Sequence, residues 1–152
     1  PPEALAARYG ERYLALLDSL IKPYPGMAET LARLAARGVP MGVVTSKRRV
    51  SALPTLAAFD LGRYFRVIIC EDDVPVPKPD PAPLLLAAAR LGAVPPETAM
   101  IGDGEVDVQA GRAAGMRTAG ALWGTVDPEA LRAAGPTWLL RAPTDLIVLF
   151  GA

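Results

Sequence analysis

A chain of 152 residues, 51% apolar and 21% charged, has the length and balance of one globular domain with a substantial core. Its 16 Lys and Arg offset 16 Asp and Glu, so no net field favours nucleic acid or an anionic membrane surface, and no apolar run approaches a transmembrane span. The absence of histidine excludes Ser–His–Asp hydrolysis, Cys–His catalysis and His-based zinc sites within this polypeptide, leaving carboxylates, lysine, hydroxyls and a hard, oxygen-loving metal.

In chain order, residues 2–20 read as a helix with Leu5, Tyr9, Tyr13, Leu16, Leu17 and Leu20 along one side. Residues 21–26 carry two prolines and a glycine and read as a hinge. A helix is expected over 27–37, with Leu31 and Leu34 inward and Gly38 as its stop. A strand at 40–45 leads to a helix at 49–59 that contains Pro54, then to a strand at 66–70. The lone Cys70 cannot form an internal disulfide, which fits a reducing cytoplasm. After the loop around Lys78, Asp80 is placed as an N-cap and Pro81 as the first residue of a helix ending at Gly92. A strand at 98–102, a helix at 106–114 closed by Gly115, strands at 117–122 and 137–140, and a terminal helix capped by Thr144 complete the reading.

Strands alternating with helices predict a mostly parallel sheet covered on both faces, and ligands bind beyond the carboxyl ends of such strands. Three places qualify. Thr45 offers a hydroxyl and the amides that follow it. Lys78 is held between Pro77 and Pro79. Asp103 lies between Gly102 and Gly104, and Asp107 follows where the first helical turn brings it back beside Asp103. A hydroxyl, a fixed cation and a carboxylate pair suit a phosphoryl group with Mg²⁺. Taken singly, each residue also has a structural reading: a strand end, a solvated lysine, a turn and a first-turn helix carboxylate. The case rests on their joint occurrence at three successive strand ends. Trp123 is read as packing and Cys70 as a buried apolar residue.

VVTSK, VPKPDP and IGDGEVDVQAGRAAG, in that order, resemble the second, third and fourth motifs of the haloacid dehalogenase superfamily. YPGMAETLARLAARG, FDLGRYF and LWG (Leu122–Gly124) resemble its phosphoglycolate phosphatase branch. The resemblance implies an α/β Rossmann-like core, a three-layer parallel sheet, over 23–152, with 1–22 the end of a helical cap and hinge. It implies that Thr45 binds the transferring phosphoryl oxygen, that Lys78 stabilises the nucleophilic carboxylate and the phosphate, and that Ser46 and Lys47 lie next to the phosphate. Asp103 is implied as a direct Mg²⁺ ligand, with Asp107 supporting the metal through water or a second-shell bond.

The superfamily's first motif, a strand followed by Asp-x-Asp-Gly-Thr that carries the nucleophile, is absent from this sequence. Asp60, Asp72 and Asp73 do not match it. The resemblance places the missing strand centrally, between those at 40–45 and 98–102, so the chain is read as a piece of a longer enzyme and as inactive by itself. The activity expected of the longer protein is Mg²⁺-dependent hydrolysis of a small phosphorylated metabolite through an aspartyl-phosphate. A cytoplasmic monomer or homodimer, with neither nucleic acid nor membrane as partner, is expected. Sugar phosphomutase, pyrophosphatase and nucleotidase activities are the alternatives within the superfamily. A non-catalytic phosphate-binding module is the alternative outside enzymes. Mutases often place an acidic residue immediately before the metal aspartate, where this chain has Gly102, which favours hydrolysis.

Overall fold

A computed structural model describes residues 21–150; the helix expected at 2–20, and with it most of the cap segment assigned to 1–22, lies outside them. Helix α1 (Met27–Ala36) buries Leu31 and Leu34 and closes before Gly38, whose φ of 74° is left-handed. Strand β1 (Gly42–Val44), α2 (Arg49–Ala58) and β2 (Val67–Ile69) follow, then α3 (Ala82–Leu91), β3 (Ala99–Gly102), α4 (Glu105–Ala113) and β4 (Arg117–Ala121). The described residues end with α5 (Pro128–Ala133), β5 (Trp138–Leu140) and α6 (Asp145–Phe150). Pro54 sits inside α2, which runs on past it to Ala58.

Three expectations shift. Asp80 lies one residue further from α3 than an N-cap would, because Pro81 itself occupies the cap; the Asp80 carboxylate still accepts from the Ala82 amide at 2.8 Å. Helix α5 was not anticipated, although Asp127 caps it by accepting from the Ala130 amide at 2.9 Å and Pro128 opens it. At α6, the Asp145 carboxylate takes the amides of Arg141 and Ala142, so the side-chain bonds at that end come from Asp145 and not from Thr144.

All strand pairs are parallel, but the sheet is in two pieces. β1 pairs with β2 (Gly42 opposite Val67, Val44 opposite Ile69), while β3, β4 and β5 form a three-stranded piece in that order. Side chains alternate across the pieces as a pleat requires. Val44 and Met100 pack with Leu84 and Ala88 of α3 and Ala110 and Ala114 of α4. Met41 and Ile101 pack on the other side with Leu34 of α1 and Leu146 of α6. This is the three-layer α/β arrangement expected.

Among the described residues no strand stands between β1 and β3. A cavity of about 630 Å³ occupies that position, walled by Gly42, Val43 and Val44 on one side and Ala99, Met100 and Ile101 on the other. Among the described residues the position of the expected central strand is thus unfilled, with helices packed on both faces beside it.

Candidate active site

Parallel strands bring their carboxyl ends to one edge of the sheet. Thr45 follows β1, the Lys78 loop follows β2, and Asp103 follows β3. The Thr45 amide donates to the Ile69 carbonyl at 2.9 Å, continuing the ladder one step beyond β1. The Thr45 hydroxyl oxygen accepts from the Lys47 amide at 3.1 Å. That bond uses the oxygen as an acceptor and leaves the hydroxyl proton available to donate.

The Lys78 loop crosses from one half-sheet to the other. Lys78 Nζ donates to the Val44 carbonyl at 3.1 Å and pairs with Asp107 Oδ1 at 2.6 Å. Because the Thr45 amide faces β2, the carbonyl of the same peptide, that of Val44, faces the open edge of β1. One ammonium therefore ties the open edge of β1 to the first turn of α4. Both side chains are largely withdrawn from water, 8% exposed for Lys78 and 13% for Asp107. Thr45, Ser46 and Lys78 line one small recess together with Cys70 and Glu71.

Asp107 is also held from behind, its Oδ2 accepting from the Gly104 amide at 3.2 Å. A Cβ on Gly102 would come 2.3 Å from the Cβ, Cγ and Oδ2 of Asp107. The space a side chain at 102 would need is thus filled by the Asp107 carboxylate. A Cβ on Gly124 would come 2.9 Å from Asp103 Oδ2 and 3.0 Å from Asp103 Cβ, so the 122–124 turn lies directly against that carboxylate. Asp103 itself is exposed. Gly102→Ala is expected to evict Asp107 from its pairing with Lys78, costing about 1–3 kcal/mol as an overpacking change and at least about tenfold in turnover of the full-length protein. Denaturant unfolding and steady-state rates check both; wild-type values would show that Asp107 has room elsewhere.

The structure thus gathers Lys78, Asp107 and the backbone before Thr45, with Ser46 beside them and Asp103 adjacent through the chain. Lys47 contributes its amide to Thr45 and its carbonyl to the Glu71 amide, 3.0 Å away.

Reading the sequence missed the acidic turn that holds this loop. By sequence Asp72 and Asp73 are only rejected matches to the nucleophile motif, yet in the fold both bind Arg49. The β1–β2 register, extended by a few residues, brings 47–49 opposite 72–74, a signal legible only once parallel pairing is known. Arg49 beside Asp73 holds that carboxyl below its ordinary value, helped by the Cys70 amide. Burial pushes the Cys70 thiol up, outweighing the nearby Arg49 and leaving the thiol protonated near neutral pH.

Among the described residues no group of three or more His, Cys, Asp or Glu side chains could hold a metal ion. Asp103 is an exposed hard oxygen donor and Asp107 is tied to Lys78, so the donor set fits Mg²⁺ only as part of a shell completed from elsewhere.

Residues 2–121 match the family of haloacid dehalogenase-like hydrolases. The chain is 40% identical over 144 residues to phosphoglycolate phosphatase of Pectobacterium atrosepticum, covering 95% of this chain and 62% of that protein. It is 39% identical over 134 residues to pyrophosphatase PpaX of Bacillus velezensis, covering 88% and 62%. The crystal structure of CbbY from Rhodobacter sphaeroides in complex with phosphate superposes with a TM-score of 0.81 at 26% identity, over 96% of this chain and 66% of that one. The chain spans about three-fifths of the length of these two curated relatives.

Proposed function

We propose, from the premise that this chain belongs to the family of haloacid dehalogenase-like hydrolases, that it is the core of a Mg²⁺-dependent phosphomonoester hydrolase whose nucleophile is supplied from outside the sequence. The observation that carries this reading is the Lys78 ammonium, held between Asp107 and the carbonyl of Val44, a residue that lines the cavity on the open edge of β1. A strand filling that cavity parallel to its neighbours would end beside this ammonium, where an aspartate would meet a fixed positive charge.

In that arrangement the carboxylate of the incoming aspartate attacks phosphorus and the alcohol departs, leaving an aspartyl-phosphate that water hydrolyses. Thr45 donates its hydroxyl proton to a phosphoryl oxygen, its own oxygen held by the Lys47 amide, and Ser46 and Lys47 lie next to the same group. Lys78 offsets the negative charge shared by the attacking carboxylate and the phosphoryl oxygens. Asp103 and, behind it, Asp107 would hold Mg²⁺, which supplies further charge neutralisation to the phosphoryl oxygens when bound. Gly124 and Gly102 keep the two carboxylates in place by leaving no other atoms in their space.

The substrate proposed is a small phosphorylated metabolite of the phosphoglycolate type, acted on in the cytoplasm. No helix among the described residues is long and apolar enough to cross a membrane. Pyrophosphate hydrolysis is the second reading, favoured by the similarity to PpaX. The groups that read the leaving group fall to the cap, of which 1–22 is proposed to be the end, with 23–152 the core. A mutase is disfavoured because Asp107 occupies the space an acidic side chain at 102 would take.

The test is turnover of an aryl phosphate by the full-length protein. Hydrolysis that stops with EDTA and returns with Mg²⁺ is expected. A protein that binds inorganic phosphate yet never turns over an ester would instead be a phosphate-binding module.

A further inference from the structure

The loop that carries Thr45, Ser46 and Lys47 is short and exposed, yet it is anchored at its far end by a cluster outside the chemistry described so far. Arg49 Nε donates to Asp73 Oδ1 at 3.1 Å, and its Nη2 pairs with Asp73 Oδ2 and also donates to the Ile68 carbonyl at 3.3 Å. The Asp73 carboxylate is itself fixed, accepting from the Cys70 amide at 2.8 Å. The Arg49 backbone amide, the first of α2, donates to Asp72 Oδ1 at 2.8 Å. Arg48, the N-cap residue of α2, makes no side-chain cap, so this borrowed carboxylate takes its place.

We propose that Arg49 is a positioning residue for the phosphate loop: gripped by Asp73 through its guanidinium and by Asp72 through its amide, it fixes the Thr45–Lys47 segment against the end of β2. The proposal rests on the phosphate-site reading above. Its physical content is that a loop tied at both ends presents its hydroxyl and amides in one orientation, so the ordering cost of binding a phosphate is met in advance. Within the segment the ties are Thr45 amide to Ile69 carbonyl and Glu71 amide to Lys47 carbonyl. Beyond Lys47, the Arg49 contacts tie the entry to α2 to the turn that follows β2. The fork geometry matters: two nitrogens grip one carboxylate while the chain turns into α2, which a lysine ammonium cannot reproduce.

The experiment is calorimetric titration of inorganic phosphate, with Mg²⁺ present, into the full-length protein and its Arg49→Gln, Arg49→Lys, Asp73→Asn and Arg49→Gln/Asp73→Asn variants, with thermal unfolding of each alongside. The expected result is that Arg49→Gln and Asp73→Asn each bind phosphate about tenfold more weakly and that the double variant is no weaker than either, because both residues act through one clasp. Arg49→Lys should fall between wild type and Arg49→Gln. Wild-type affinity in Arg49→Gln or in Asp73→Asn overturns the proposal, as does a multiplicative loss of about a hundredfold in the double variant. So does a loss seen only where unfolding has begun. A wild-type protein that binds no phosphate fails the site reading itself, in the first titration, separately from anything the variants show.

Discussion

Replacing Lys78 with methionine in the full-length protein should lower kcat by at least about 10³-fold, because a cation held between the two half-sheets is removed from a transition state rich in negative charge. The same substitution should also destabilise the fold, which most loop lysines would not. The ammonium is 8% exposed and pairs at 2.6 Å with a carboxylate that is 13% exposed. Deleting one member leaves the other withdrawn from water without its partner, at a cost of about 3–5 kcal/mol for a buried pair. The Val44 carbonyl on the open edge of β1 loses its donor as well. Adding Asp107→Asn to Lys78→Met removes the stranded charge while keeping an acceptor for the Gly104 amide. The double variant should therefore recover much of the stability and none of the activity. Urea unfolding and steady-state kinetics on the same preparations separate the two effects. A near-normal rate in Lys78→Met would remove Lys78 from the mechanism, and a double variant less stable than the single would mean that the pair's burial costs little.

The 152-residue chain alone should turn over an aryl phosphate at least about 10⁴-fold more slowly than a protein carrying the strand that fills the cavity, since the covalent route is lost with its nucleophile. Thr45, Lys78 and Asp103 remain, so weak phosphate binding should persist. The facing edges of β1 and β3 carry backbone groups with no ladder partner among the described residues, and such edges recruit other strands. Self-association of the short chain that disappears on restoring the strand is the accompanying sign, read by light scattering. Rapid Mg²⁺-dependent turnover by the short chain at high purity would place the nucleophile within these residues and end the proposal of an external aspartate.

Much of the scaffold was written locally. The inward spacing of Leu31 and Leu34, the apolar runs ending at Thr45 and Gly102, and glycines such as Gly38, Gly92 and Gly115 marked helices, strands and stops, because these choices depend on neighbours a few residues away. Helix α5 carried an equally local signal in Asp127 and Pro128 that went unread. The missing strand, too, was legible, since a motif is present in a sequence or it is not.

What the sequence could not decide was which groups meet. Lys78 and Asp107 are 29 positions apart, and Arg49 and Asp73 are 24 apart. Their pairing depends on parallel register and on which face each helix covers, quantities fixed by packing the whole sheet. Gly102 read as freedom for the backbone, whereas in the fold it is room for the Asp107 side chain. Composition and motif order thus settled the elements and the chemistry on offer, while the tertiary structure alone chose the contacts, because burial and charge pairing are long-range in sequence and short-range in space.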